Sequence, residues 1–278
     1  MNRSKDLPKE SFNKISLEGF VDTHLHTGSD VKPRLLNDIE AAEEASQEKM
    51  SSVIIKSHLE TTAGRAQVAR ELTGLDVIGG VCLNTSGGGL NVEAVKTTAS
   101  MGGKVIWLPT ISRDEIDFTR KDNWDKLEEI LMLIAEKDLI LATGHTKVQD
   151  IFRVIDLAVS TGVDKIIINH PLTRVVGATL DEQKEMSRKA YLEHCYVACL
   201  PGHDELNPEK IAEAIKEVGA SRCIMATDMG QIHNPPPVLG FKTFIGTMIE
   251  LGISWRDVEL MCGVNPLGLI IDMVTFIY

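Results

Sequence analysis

Along the chain, short runs of β-branched and other apolar residues alternate with longer segments in which apolar residues recur every three or four positions. Eight runs read as strands: Phe20–His26, Ser52–His58, Asp76–Leu83, Lys104–Leu108, Leu139–Thr143, Lys165–Asn169, Tyr196–Leu200 and Cys223–Thr227. The segments that follow them read as amphipathic helices: Asn37–Lys49, Thr61–Leu72, Asn91–Met101, Asn123–Glu136, Lys147–Ser160, Leu180–Tyr191, Asn207–Val218 and about Pro237–Leu251. Several open on capping residues, as in Asn37-Asp-Ile-Glu40 and Asn207-Pro-Glu209. A run such as Ile166-Ile-Ile168 is apolar at successive positions, which suits a parallel sheet covered by helices. Eight such repeats without a linker predict an α/β fold, a (β/α)8 barrel, as a single domain over residues 1–278. Within it, 1–18 form a polar lead-in and 254–278 a helical C-terminal extension. A doubly wound open sheet is the alternative. The barrel requires what the open sheet does not, polar residues concentrated at strand C-terminal ends all the way round.

That concentration is present. His24 and His26 end the first run in Val21-Asp-Thr-His-Leu-His26, and alternation sends residues i and i+2 to one face, so two imidazoles can converge on one ion. His58, His145 and His170 follow the second, fifth and sixth runs, and Asp228 closes the eighth, beside the first in a closed barrel. The joint pattern predicts a metal site of His24, His26, His145, His170 and Asp228 on the face where barrel active sites form. Lys56 and His58 share a face of the second strand. Lys56 is expected to pair with Asp22 or Asp228, with a carboxylated metal ligand as the alternative, and His58 to contact metal or substrate. His203 and His233 fall in the last two strand-end loops, within reach of the site or simply as loop histidines.

Composition narrows the partners. The net charge is −11 and no Lys/Arg cluster occurs, which disfavours nucleic acid. No apolar stretch approaches ~18 residues, so no membrane span is expected. Residues 1–18 lack the apolar core of a signal peptide, and five scattered cysteines without a Cys-x-x-Cys pair suit free thiols; together these point to a cytoplasmic protein. A homo-oligomer is compatible with the sequence and not specified by it. Arg34, Arg65, Arg113 and Arg174, with Asn84 and the Ser86-Gly-Gly-Gly89 turn, lie in strand-end loops and could hold a small carboxylated or phosphorylated substrate. Each arginine could equally cap a helix or pair with a surface acid.

In combination these residues resemble the amidohydrolase superfamily of metal-dependent hydrolases on a (β/α)8 barrel, and more narrowly an uncharacterised bacterial amidohydrolase-like subgroup. The resemblance runs over essentially the whole chain. It rests on His24-x-His26 for the first strand, His145 for the fifth, His170 for the sixth and Asp228 for the eighth. The segment Val258-Glu-Leu-Met-Cys-Gly-Val-Asn-Pro-Leu-Gly268 is similar to the Asn-Pro helix that closes TatD-like members. One feature departs from the pattern: binuclear members carry a bridging carboxylated Lys or a Glu on the fourth strand, where this chain has Lys104-Val-Ile-Trp-Leu108 with its lysine at the wrong end. The resemblance therefore implies one divalent ion, Zn2+ ahead of Mn2+, Fe2+ or Co2+, held by His24, His26, His145 and Asp228. Two ions are the alternative.

A divalent ion with an open position lowers the pKa of water towards ~7. The resemblance gives Asp228 the proton transfers and, where His170 is not a ligand, gives His170 the polarising of the substrate oxygen. The expected activity is hydrolysis of an amide, lactone or ester of a small molecule. A TatD-like or PHP-like phosphoesterase, a metal-dependent decarboxylase and a non-catalytic metal- or ligand-binding barrel are the alternatives.

Overall fold

A computed structural model describes residues 10–271. Residues 1–9 of the expected lead-in and 272–278 of the expected C-terminal extension lie outside the described residues. The strands are β1 Val21–His26, β2 Ser52–Lys56, β3 Asp76–Ile78, β4 Gly80–Cys82, β5 Val105–Trp107, β6 Ile140–Ala142, β7 Ile166–Asn169, β8 Tyr191–Cys195 and β9 Cys223–Ala226. All neighbouring pairs are parallel, β1-β2-β3 in one group and β4 through β9 in the other.

The third expected strand is thus broken at Gly79, so β3 and β4 together fill one position of an eight-position barrel. A Cβ on Gly79 would lie 2.6 Å from the backbone of Thr62 and Ala63, so only glycine lets the strand press against the helix start there. The circle closes between β1 and the end of β9: Asp228 N donates to His24 O at 2.8 Å, and His26 N donates to Met229 O at 2.8 Å.

The outer layer is α1 Asp38–Gln47, α2 Ala63–Thr73, α3 Val92–Ser100, α4 Lys121–Glu136, α5 Val148–Ser160, α6 Leu180–Met186, α7 Pro208–Val218 and α8 Pro237–Glu250. Asn37 and Glu40 form a reciprocal capping box on α1, as the sequence suggests, and Asn207 caps α7. None of the described helices is long and apolar enough to cross a membrane.

Alternation along the strands divides the apolar residues into two cores. Val53 and Ile55 face the helices, while Ile54 joins Val21, Ile78, Val105, Ile140, Ile167 and Ile224 inside the barrel. The N-terminal mouth is plugged by Leu269 and Ile270 of α10 Asn265–Ile270, which continues α9 Trp255–Glu259 through a π-helical turn at Leu260–Val264. Asn265 ties this plug to the barrel by donating to Ala220 O at 2.8 Å and Cys223 O at 2.7 Å. Apolar packing therefore fills the lower barrel, and polar side chains are left for the upper mouth.

One expected element is misplaced. Tyr196–Leu200 is not a strand: Tyr196–Cys199 is a 3-10 turn, and the strand is β8, which begins at Tyr191, the last residue of the expected helix, and fills the gap before the expected strand. The charged pair Glu193-His194 falls between the expected helix and the expected strand, yet on β8 the side chain of Glu193 enters the barrel. Its carboxylate is satisfied there by Thr23, His24 and Asn169, which removes the penalty that otherwise excludes a buried acid.

Candidate metal centre

The pairing of β1 with β2 shifts register between Asp22 and Leu25. This bulge inverts the alternation: Val21 faces the barrel interior, and beyond the irregularity His24 and His26 face it too, where a regular strand would turn them outward. With His58, His145 and His170 they form a closed ring of five imidazoles. Successive centroids lie 5.5 Å (His24–His26), 4.8 Å (His26–His58), 6.0 Å (His58–His145), 5.0 Å (His145–His170) and 6.0 Å (His170–His24) apart. The five ring histidines expected from the sequence are therefore brought together.

Hydrogen bonding behind the ring assigns the proton of three of them. His24 Nδ1 donates to Glu193 Oε2 at 2.9 Å, and His26 Nδ1 donates to Lys56 O at 3.1 Å. His170 Nδ1 is 3.0 Å from Thr173 Oγ1; that hydroxyl gives its only proton to His170 O at 2.7 Å, so the imidazole must be the donor. Each Nε2 then carries a lone pair directed away from its supporting partner. His26 Nε2 lies 3.0 Å and His24 Nε2 3.2 Å from the same oxygen, Asp228 Oδ1. Acceptors that close need a cation beside them; Lys56 Nζ stands 3.0 Å from His24 Nε2, and the convergence of His24 and His26 on one carboxylate oxygen is also the arrangement of neighbouring ligands of one divalent ion. The donor set fits a metal.

Backbone conformation at the strand ends aims these side chains. His170 and Asp228 both lie at positive φ, 31° and 52°, a region that costs a non-glycine residue about 1 kcal/mol or more. Gly230 has φ 128°, and a Cβ there would stand 1.7 Å from His26 O, so only glycine lets the chain after Asp228 fold back onto β1. Gly144, before His145, would place a Cβ 2.3 Å from Leu108 O.

Burial pushes the imidazoles of His26 and His170 down to about 4 and that of His145 to about 2, and lowers His58 as well. The nearby charge of Lys56 acts in the same direction on all four. At neutral pH these four are uncharged, the form that ligates a metal. Burial alone would raise the Asp228 carboxyl, but the positive charge that the facing His24, His26 and His170 carry when protonated outweighs it and holds the carboxyl well below the usual range. Glu193 behaves alike: burial is outweighed by His24 and by hydrogen bonds from His24, Thr23 and Asn169.

Lys56 does not pair as expected. Its Nζ lies 3.0 Å from His24 Nε2, and among the described residues it has no carboxylate within the 4.0 Å of an ion pair. The bulge explains the difference. Asp22 lies before it, where it accepts from Thr227 N at 3.0 Å and Thr227 Oγ1 at 2.6 Å and stitches β1 to β9.

The expected substrate-binding residues are engaged with the protein itself. Arg65 uses all three guanidinium nitrogens on Asp38, Glu60, Thr27 and Ser29, Arg34 holds Asp30, and Arg174 holds Asp204 and His203 O. Arg113 donates to His145 O and Val175 O, which braces the loop behind the ring. Asn84 is saturated: its Nδ2 donates to His58 O and Thr110 Oγ1, and its Oδ1 accepts from Thr110 N, Ser112 N and Ser112 Oγ. It positions His58, whose Nδ1 is 2.8 Å from Thr110 Oγ1. His203 and His233 stack on each other at 5.4 Å, with their Nε2 atoms 3.4 Å apart.

Two residues at the centre carry no signal in the sequence. Glu193 orients His24 from behind, and Trp107, on β5, stands 6.4 Å from His24. His24, Cys195 and Asp228 also bring donor atoms within 4.8 Å of one another. Cys195 Sγ, however, approaches His24 from the protonated Nδ1 side at 3.8 Å, and burial holds its thiol well above the ordinary range, so it is packing behind the ligand.

Among solved structures, the chain is similar to a putative 2-pyrone-4,6-dicarboxylic acid hydrolase from Pseudomonas putida, with TM-score 0.63 and 18% identity over 92% of this chain and 98% of that one. It is also similar to a mutant PTE-like lactonase from Deinococcus radiodurans, with TM-score 0.66 and 16% identity over 92% and 96% of the two chains. A third is a probable 2-pyrone-4,6-dicarboxylic acid hydrolase from Acinetobacter baumannii with citric acid bound, at TM-score 0.63 and 12% identity over 91% and 99%. At such identities the likeness is one of fold. No curated protein matches the sequence. Residues 19–193, most of the chain and all of the strands through Glu193, match the profile of a family of unknown function, DUF6282, and the chain belongs to that family.

Proposed function

We propose that this protein is a metal-dependent hydrolase that cleaves an ester, lactone or amide bond of a small molecule with one divalent ion, zinc first. The observation that carries the reading is the convergence of the His24 and His26 Nε2 lone pairs on Asp228 Oδ1, with both imidazoles fixed from behind. Those three residues would hold the ion, with His145 and His170 next on the ring. When bound, such an ion lowers the pKa of water to near 7 and supplies hydroxide at neutral pH. Asp228 is a carboxylate and 15% exposed at the mouth, so it can take the proton of the attacking water and return it to the leaving group. Glu193 and Lys56 O keep the imidazoles in the ligating tautomer. His170 has a lone pair where a polarising group needs a proton, so its fitting role is that of ligand and not of electrophile. The similar folds named as a lactonase and as hydrolases of a 2-pyrone, itself a cyclic ester, support beginning with lactones.

The test is metal content by elemental analysis of protein purified without chelator, followed by a panel of lactones, esters and amides. About one equivalent is expected, with turnover lost on chelation and restored by Zn2+ or Mn2+. Asp228→Asn should lower kcat by about 10²–10⁴-fold. Protein that takes up no metal and hydrolyses nothing after reconstitution would overturn the reading.

A further inference from the structure

We infer that Lys56 is a catalytic residue of this centre: its Nζ donates a hydrogen bond to the substrate carbonyl oxygen and so does the work of a second cation. The inference rests on the hydrolase reading above.

Position comes first. Ile54 faces the barrel interior, and Lys56, two residues on, shares that face at the C-terminal end of β2. Its side chain is 1% exposed, with Nζ 3.0 Å from His24 Nε2 and 5.6 Å from the centroid of Trp107. It lies against His24, beside the atoms expected to hold the ion.

Second, no protein acid is there to receive it. Asp22 serves Thr227, Glu193 lies behind His24 on the Nδ1 side, and Asp228 is not within ion-pair distance of Nζ. A buried amine without a carboxylate costs stability, and the partner that this one does have is the neutral imidazole of His24 at 3.0 Å. The partner it lacks is an oxygen that the protein does not provide.

Third, the reaction needs a donor that His24, His26 and His170 do not supply. As water forms its bond to the carbonyl carbon, the C=O π pair moves onto oxygen and Asp228 takes the water proton. When that pair returns, the bond to the leaving group breaks and the departing oxygen or nitrogen recovers the proton from Asp228. Throughout, negative charge sits on one oxygen, and stabilising it takes an N–H aimed at it. The hydrogen-bond network leaves His24, His26 and His170 with lone pairs at Nε2, whereas Lys56 Nζ carries protons. The Trp107 indole excludes water on one side, which strengthens the donated bond.

The experiment compares metal-loaded wild type with Lys56→Met and Lys56→Ala on a lactone that the wild type hydrolyses. Metal content and melting temperature close to wild type are expected, with kcat lower by about 10²–10³-fold and KM little changed. Millimolar propylammonium should restore part of the Lys56→Ala activity, a response that a purely structural lysine would not give. Lys56→Gln carries the same comparison if the apolar variant does not fold. Undiminished kcat in the variants would overturn the inference, as would loss of the metal from Lys56→Met, which would make Lys56 a ligand. So would an intact mass heavier by one CO2 that disappears in Lys56→Met, since a carboxylated lysine is an acceptor. A wild type without metal or hydrolysis would instead remove the parent reading, and this one with it.

Discussion

Glu193→Gln isolates the charge behind His24. The carboxylate accepts His24 Nδ1 at 2.9 Å and Asn169 Nδ2 at 2.7 Å on Oε2, and Thr23 Oγ1 at 2.6 Å on Oε1. A glutamine with its carbonyl at the Oε2 position keeps the first two, and the Thr23 hydroxyl can rotate to accept from the new amide. Shape and hydrogen-bond count are then preserved, while the acceptor becomes neutral. A hydrogen bond to a charged group contributes about 1.5–3 kcal/mol, against about 0.5–1.5 for a neutral one. The His24 bond therefore weakens by about 1–1.5 kcal/mol, and the imidazole becomes a poorer ligand by that much. Metal affinity should fall about 10-fold, at the lower edge of the 10–100-fold usual for partners of ligating histidines.

Glu193→Ala goes further, because the His24 proton is then free to move to Nε2 and block the ligating lone pair. The expected loss is about 100-fold or more. Competition against a chromogenic chelator measures both affinities, and a melting curve shows whether each variant is folded. Folded Glu193→Gln and Glu193→Ala that both bind Zn2+ with wild-type affinity would refute the assignment of His24 as a ligand through Nε2.

Two further outcomes depend on the fold rather than the chemistry. His194 faces away from the barrel interior with no partner at Nε2, and burial lowers its imidazole from 6.5 to about 4. A depressed folded-state value means that the unfolded chain binds the proton first, so His194 costs nothing above pH 6.5. Below that it removes about 1.4 kcal/mol per pH unit, to roughly 3 kcal/mol by pH 4. His194→Leu should shallow the pH dependence of urea unfolding between those limits by that slope, and parallel curves for the two proteins would refute this. Gly230→Ala should cost about 3 kcal/mol or more in the same assay, because the new Cβ meets His26 O in a backbone region that suits only glycine; an unchanged midpoint would refute the close approach.

The histidine ring was legible because its residues are rare, chemically distinctive and set at the ends of β-branched runs, where a barrel gathers side chains without further instruction. Glu193 was not. Tyr191 to Leu200 carries apolar residues at spacings that satisfy either a strand ending at Cys195 or one beginning at Tyr196, and a lone acid argues against the first until three donors are found waiting inside the barrel. The arginines left two readings open for a related reason: an unpaired guanidinium and one already bound to Asp38 or Asp204 are the same letters.

The β1 bulge decides more than any single side chain, and only the register against β2 reveals it. By inverting the alternation it turns His24 and His26 inward and leaves Asp22 to bond with β9 instead of Lys56. From this one irregularity follow both the acceptor cluster that calls for a cation and the lysine left without a carboxylate beside it. His24 then links three strands at once, through Glu193 on β8, its own backbone oxygen to Asp228 N, and its Nε2 towards Asp228 Oδ1. The bonds that close the barrel and those that aim the ligands are therefore largely the same, so the centre is as rigid as the seam that holds it, and its ligands can wait in place for an ion without a loop having to order around it.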